Sequence, residues 1–189
     1  MARGLELLKF HCTGCGNCCR DPLLPLTDTD AKRIMEGTGD GPQDFVKWVD
    51  RDGIEMQDEP EAFVRLRQGK RVMVLRHQHG RCRYLGTDDR CTIYESRPLG
   101  CRIFPFDPDF NKKGRLTRLR LIQVTECPYT LEGTTRVTSL RALNRRYAEA
   151  QDGYHAKIAT FNRTQLARRR RGLGTQTAKD FFRFLGLIR

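Results

Sequence analysis

Four cysteines lie within eight residues near the start of the chain, at Cys12, Cys15, Cys18 and Cys19. Two-residue gaps between thiols favour metal chelation, because a tight turn can direct successive sulfur atoms at one centre. Disulfides between such close cysteines would close very small loops and would constrain the chain little. Four more cysteines follow at Cys82, Cys91, Cys101 and Cys127. Eight thiols are enough for two sites with four ligands each.

The rest of the composition indicates a reduced, water-exposed environment. The chain has 189 residues, of which 38% are hydrophobic and 31% charged, which predicts one domain, or one domain with an appendage, around a modest core. The first nine residues lack the apolar segment of a signal peptide. The sequence also has no apolar run of roughly 20 residues, the length that a membrane span needs. We therefore expect a cytoplasmic protein without a membrane span, in which clustered cysteines bind metal ions.

The formal net charge of +12 allows two interpretations. It predicts either a solvated basic surface or contact with an acidic partner such as RNA, DNA, an anionic membrane face or an acidic protein. The candidate contact residues for nucleic acid are four consecutive arginines, Arg168, Arg169, Arg170 and Arg171. A solvated helix end is the more common role for such a run, and the nearby Phe181 and Phe182 are more typical of a core.

The residue pattern predicts an α+β fold, with a loop-rich cysteine domain over residues 1–130 and a basic helical extension over residues 131–189. Thr27 is expected to cap a helix that runs through Met35, and a second short helix is expected over 43–49. Strands are predicted at 72–75, which is rich in β-formers, and at 116–121, which alternates apolar and polar residues and continues toward Thr125.

Helical spacing dominates the C-terminal part. An apolar stripe predicts a helix that Gly153 weakens or splits; its members are Leu140, Leu143, Tyr147, Tyr154, Ile158 and Phe161. Thr177 is expected to cap a final helix.

The cysteine spacing does not decide which metal is bound. The first three cysteines follow a C-x2-C-x2-C pattern with a distant Cys127-Pro128, which favours an iron–sulfur cluster, most simply of the 4Fe-4S type. The looser set of Cys82, Cys91 and Cys101 would equally suit zinc, so one site of each kind is also possible. Because adjacent side chains diverge, we expect Cys18 and Cys19 to serve two neighbouring centres, or one of them not to be a ligand.

Several segments together resemble a known family. The chain contains Cys12-x-x-Cys15-Gly-x-Cys18-Cys19, then Gly-x-Cys82, then CTIYESRPLGCRIFP from Cys91 to Pro105. In spacing and order these segments resemble the CxxCxxCC cysteine-cluster family, the YkgJ-like zinc- or iron-chelating domains, over about two-thirds of the chain. The resemblance implies metal chelation by the cysteines and little else.

The shared segment also predicts residues that would surround the ligands. Arg97 and Arg102 flank Cys101, and positive charge near thiolates lowers the thiol pKa and offsets the charge of a four-thiolate site. We expect Tyr94 to join them, on a short helix capped by Thr92 and ended by Pro98. The alternative for Arg97 is an ion pair with Glu95.

Three functions are compatible with these features. The first is a metal-binding protein, in a structural, metal-handling or electron-transfer role. The second is an iron–sulfur enzyme, since a related group, the flagellin lysine N-methylases, is enzymatic. The third is a nucleic-acid-associated module in which the metal only stabilises the fold.

Overall fold

The computed structural model describes residues 7–20, 23–56, 58–122, 128–130 and 132–189. Its helices are α1 (Asp28–Thr38), α2 (Pro42–Phe45), α3 (Leu99–Ile103), α4 (Val137–Arg170) and α5 (Ala178–Phe184). Its strands are β1 (Leu7–Leu8), β2 (His11–Cys12), β3 (Val46–Val49), β4 (Val64–Leu66), β5 (Gly69–Leu75), β6 (His77–Gln78), β7 (Arg81–Cys82), β8 (Phe106–Phe110), β9 (Leu116–Leu121), β10 (Tyr129–Thr130) and β11 (Thr135–Arg136). Short strands and helices along one chain confirm the α+β prediction.

An antiparallel sheet of order β3-β5-β4 carries the main core. In β5 successive side chains enter different clusters, as the twofold period of a strand requires. Met73 packs with the helices in the larger cluster, whereas Val72 and Val74 pack with Phe63 in a smaller one. Both faces of β5 are therefore covered, which explains its run of apolar residues and confirms the strand predicted at 72–75.

Helix α1 begins where the sequence predicts and ends later. Thr27 and Asp30 form a capping box, in which the Thr27 hydroxyl accepts from the Asp30 N–H at 3.2 Å and the Asp30 carboxylate accepts from the Thr27 N–H at 3.2 Å. The helix continues to Thr38 and stops at Gly39, whose φ of 76° suits glycine. The end predicted at Met35 is therefore one turn short.

The helix predicted over 43–49 is wrong in its second half. Helix α2 ends at Phe45, and β3 follows at once, with Val46 opposite Leu75 and Trp48 opposite Met73. The physical reason is that Val46, Trp48 and Val49 favour strands, and pairing with β5 satisfies their backbone groups.

Helix α4 is continuous through Gly153, so of the two predicted effects of this glycine, weakening or splitting the helix, the split is wrong. Its 34 residues give a length of about 50 Å. A side chain at Gly153 would meet no atom within 4 Å, so this glycine lies at an open face and costs the helix only its own conformational entropy.

The C-terminal helices share the main core. Tyr154, Ile158 and Phe161 of α4 and Phe181 and Phe182 of α5 are buried in the same cluster as the sheet. At its other end α4 contributes to a second cluster that also holds residues of α3 and β8. The division of the chain near residue 130 stays a prediction.

Four small antiparallel pairs complete the fold. They are β1 with β11, β2 with β10, β6 with β7, and the hairpin β8–β9, which confirms the strand predicted at 116–121. The predicted continuation beyond Ile122 lies outside the described residues. Within the described part of the chain, none of the helices is both long and apolar enough to cross a membrane.

Helix α5 supplies a test of the capping prediction. Its capping box joins Thr177 to Asp180, whose carboxylate accepts from the Thr177 N–H at 2.8 Å. We expect Thr177→Ala to lower the free energy of unfolding by about 1 kcal/mol, measured by urea denaturation. Thr164→Ala is the matched control, since this exposed hydroxyl bonds only within α4 and alanine is the better helix former. Equal losses in the two variants would contradict the capping role.

Candidate metal centre

Five of the eight cysteines interact with one another. They come from separate segments: Cys18 and Cys19 from a 3-10 turn over Asn17–Cys19, Cys82 from the end of β7, Cys91 from the turn beyond it, and Cys101 from α3. The thiol of Cys18 donates a hydrogen bond to the sulfur of Cys19, and Cys19 donates to Cys82. The adjacent Cys18 and Cys19 thus belong to one thiol cluster, which consists of Cys18, Cys19, Cys82, Cys91 and Cys101.

The pKa values in the thiol cluster follow these contacts. The bond that Cys18 donates to Cys19, together with burial, raises the pKa of Cys18. For Cys19 the bond from Cys18 lowers the pKa, but the bond to Cys82, burial and the nearby thiols outweigh it and raise the pKa to about 12. The bond that Cys82 accepts from Cys19 lowers the pKa of Cys82. Cys82 is thus the thiol that ionises first among these three.

The pKa values of Cys91 and Cys101 also depend on burial and on the charges of other thiols in the cluster. Burial raises the pKa of Cys91, and burial followed by the charges of Cys19 and Cys18 raises that of Cys101. A bound metal needs thiolates, so loading this cluster would release protons from sulfur atoms that are otherwise neutral.

Arg97 is the cation that faces the thiol cluster. Its charge acts to lower the pKa values of Cys18, Cys91 and Cys101, against the larger effect of burial or hydrogen bonding at each. The guanidinium carbon lies 3.9 Å from the centre of the Tyr94 ring, a cation–π contact that holds the cation in place. Tyr94 is itself 57% exposed. Sequence reasoning expected both residues near the ligands, which stays a prediction; the structure shows that they contact each other.

Arg102 stabilises the backbone beside the cluster. It donates from Nε to the Arg97 carbonyl at 3.2 Å and from its terminal nitrogen to the Glu95 carbonyl. Burial and the charges of neighbouring arginines lower its pKa. The helix predicted after Thr92 is a single 3-10 turn, Tyr94–Ser96, and Thr92 does not cap it, because its hydroxyl donates to the Tyr84 carbonyl.

The other three cysteines are Cys12, Cys15 and Cys127. Cys12 is exposed on β2 opposite Tyr129, and Cys15 is half-buried, with its carbonyl accepting from Arg20 at 3.3 Å. Cys127 lies outside the described residues. Across the described part of the chain, His, Cys, Asp and Glu side chains form no group of three or more that is already arranged to hold a metal ion.

Helix α1 positions two of the cysteine segments through carboxylates at its ends. Asp30 is 1% exposed and accepts the N–H of Leu99, the first residue of α3, at 2.8 Å, so it fixes the helix that carries Cys101. Beyond the other end of α1, Asp40 accepts from the Tyr84 hydroxyl at 2.7 Å and from Arg83 at 3.3 Å. Those partners directly follow Cys82.

Close packing holds two further segments. Gly37 of α1 lies so close to Ser96 that a side chain at this position would overlap the Ser96 hydroxyl. A Cβ at Gly16 would approach the Asp89 carbonyl to 2.9 Å, and φ there is 71°. Arg20 pairs with Asp89 at 2.5 Å, which ties the segment after Cys19 to the turn before Cys91.

Sequence reasoning missed these supporting residues, although part of the signal was present. Asp30 occupies the third position of a helix with a Thr27 cap, where a capping box is expected. Its second bond, to Leu99, joins residues 69 positions apart and left no local pattern. Asp40 follows Gly39 and Asp89 follows Asp88, both in turn-rich sequence, and neither gave a distinguishing signal.

The arginine run lies at the C-terminal end of α4. Arg168 is half-buried and donates to the Gly174 carbonyl at 3.2 Å, whereas Arg169, Arg170 and Arg171 are exposed. Cations at this end of a helix are stabilised by the helix dipole.

The donor chemistry of the cluster fits a soft metal centre. Thiolates are the ligands of structural zinc and of iron–sulfur clusters, and a cation beside them offsets their charge.

Comparison with known proteins agrees with this chemistry. No curated protein and no solved structure matches the chain. A family model described as "Putative zinc- or iron-chelating domain" matches residues 11–119, more than half of the 189 residues. The chain therefore belongs to the CxxCxxCC family of zinc- or iron-chelating domains.

Proposed function

We propose that this protein binds metal through its eight cysteines and that the thiol cluster around Cys19 supplies the main site. The single observation that supports this most strongly is that five thiols, from four separate segments, influence one another's pKa values. A protein that used these cysteines only as small apolar residues would have no need of a cation such as Arg97 beside them. Four thiolates complete either a zinc site or a 4Fe-4S cluster.

The spacing of the first cysteines favours an iron–sulfur cluster in this proposal. Cys12, Cys15 and Cys127 would then complete a second centre or lend a ligand to the first, and zinc in one of the two sites is the alternative. Tyr94, Arg97 and Arg102 would surround the ligands, with Arg97 offsetting their charge. The bound metal supplies either a structural cross-link or a one-electron couple, and we expect the protein in the reducing cytoplasm.

Metal and sulfide analysis of the anaerobically purified protein tests the ligand assignment. We expect Cys19→Ser to lose most of the bound metal, because Cys19 contacts the cluster from two sides. Cys12→Ser is the comparison at an exposed cysteine outside the thiol cluster and should lose less metal than Cys19→Ser.

Visible absorbance and stoichiometry then identify the metal. A brown protein with sulfide equal to iron supports the cluster, whereas a colourless protein with zinc and no sulfide overturns it. Full metal content in Cys19→Ser, with an unchanged thermal transition, would contradict the main site itself.

A second prediction concerns Asp30, whose carboxylate holds the first residue of α3. Asp30→Asn keeps the shape of the side chain but replaces the carboxylate that bonds Thr27, Arg33 and Leu99. We expect a loss of about 2 kcal/mol in the free energy of unfolding, and a several-fold faster transfer of metal to an external chelator because α3 is less firmly held.

Asp52→Asn is the control, since Asp52 is exposed in a 3-10 turn away from α3. It should change neither quantity. A lower stability of Asp30→Asn with unchanged metal transfer would show that Asp30 stabilises α1 without supporting the metal site.

A weaker proposal concerns an acidic partner such as RNA. The observation that favours it is the run of three exposed arginines at the end of α4. Neutralising all four with R168Q, R169Q, R170Q and R171Q should abolish binding to a single-stranded RNA and remove its salt dependence.

A matched control removes four positive charges from the β8–β9 region instead, at Lys112, Lys113, Arg115 and Arg118. It should retain binding, measured by fluorescence anisotropy over a salt series. Equal losses in both variants would mean that net charge alone attracts the RNA.

A further inference from the structure

A cavity of about 630 Å³ lies between the edge strand β3 and helix α5. Its volume is that of a small-molecule site. None of the described cysteines lines it, so an occupant here would bind separately from the proposed thiol cluster.

One wall of this cavity is aromatic. Val46 and Trp48 point to the same face of β3, being two residues apart, and Phe182 of α5 faces them. The rings of Trp48 and Phe182 have centroids 5.7 Å apart and are inclined by 39°. Trp48 is only half-buried, so part of its ring surface is available to a planar apolar group.

Three further lining residues are cationic. Arg76, Lys179 and Arg189 contribute side chains, and none of the described residues lining the cavity is Asp or Glu. The Arg189 carbonyl accepts from Arg183 at 3.3 Å. The cavity therefore combines a planar apolar wall with net positive charge.

Arg76 is held in a fixed orientation. One of its terminal nitrogens donates to the carbonyls of Gln43 and Val46, each at 2.9 Å. Its Nε is buried and has no hydrogen-bond partner in the described part of the chain. A cation that is already held in place loses little entropy when an anion binds beside it.

We propose that this cavity binds a small organic anion with a planar apolar body, such as an aromatic carboxylate or sulfonate. The aromatic wall takes the apolar body, and Arg76 and Lys179 take the charge. This binding goes beyond the proposed metal function and uses none of its residues.

The only tryptophan in the chain is Trp48, so its fluorescence reports on this cavity. The test titrates the full-length, metal-containing protein with anilinonaphthalene sulfonate, and separately with phenylnaphthylamine, which has a closely similar aromatic body and no charge. We expect saturable quenching of Trp48 by energy transfer to the sulfonate, with at least about fivefold weaker binding of the neutral dye.

Lys179→Gln removes one cation at an exposed position. It should weaken binding of the sulfonate about threefold to fivefold and leave the affinity for the neutral dye unchanged. Lys70→Gln, an exposed lysine on the β4–β5 hairpin, is the matched control and should leave both affinities unchanged. Equal affinities for the two dyes, equal effects of the two lysine variants, or sulfonate binding without quenching of Trp48 would each overturn the proposal.

Discussion

The buried carboxylate of Asp30 connects the scaffold of this protein to its thiols. A charge removed from water is costly unless every oxygen is hydrogen-bonded, and Asp30 meets this condition through Thr27, Arg33 and the N–H of Leu99. One side chain thus caps α1 and fixes the first residue of α3. Because the strands beside the cysteines are only two residues long, such side-chain-to-backbone bonds, and not an extended sheet, determine where the thiols lie.

Within the thiol cluster the central constraint is repulsion between like charges. Five neighbouring sulfur atoms cannot all ionise, and the hydrogen bonds from Cys18 to Cys19 and on to Cys82 distribute the protons that remain. Arg97 relieves part of this cost because its charge reaches three of the thiols. Its contact with Tyr94 keeps the cation beside them without a competing carboxylate. In the proposed function, metal binding here would release several protons from these sulfur atoms.

Local patterns predicted local structure well. The Thr27 and Thr177 caps, the apolar run of β5 and the alternation of β9 were all visible in sequence because each depends on neighbouring residues. The errors came where distant pairing decides: β3 is a strand because β5 lies beside it. The same distinction applies to the site. Cysteine positions indicated chelation, but the grouping around Cys19 depends on contacts across more than 60 residues that no local pattern records.

Helix α4 shows that support for the thiol cluster extends beyond the family match, which ends at residue 119. A Cβ at Gly100, next to Cys101, would lie 3.8 Å from the Tyr147 ring, so α3 and α4 pack closely at this point. Burial, followed by the charges of Asp30, Glu59 and Cys101, raises the pKa of Tyr147. The same helix reaches the main core at Tyr154 and Ile158 and the second core at Leu140. An element of about 50 Å thus contacts both cores, and its packing against α3 adds to the Asp30 bond in holding Cys101.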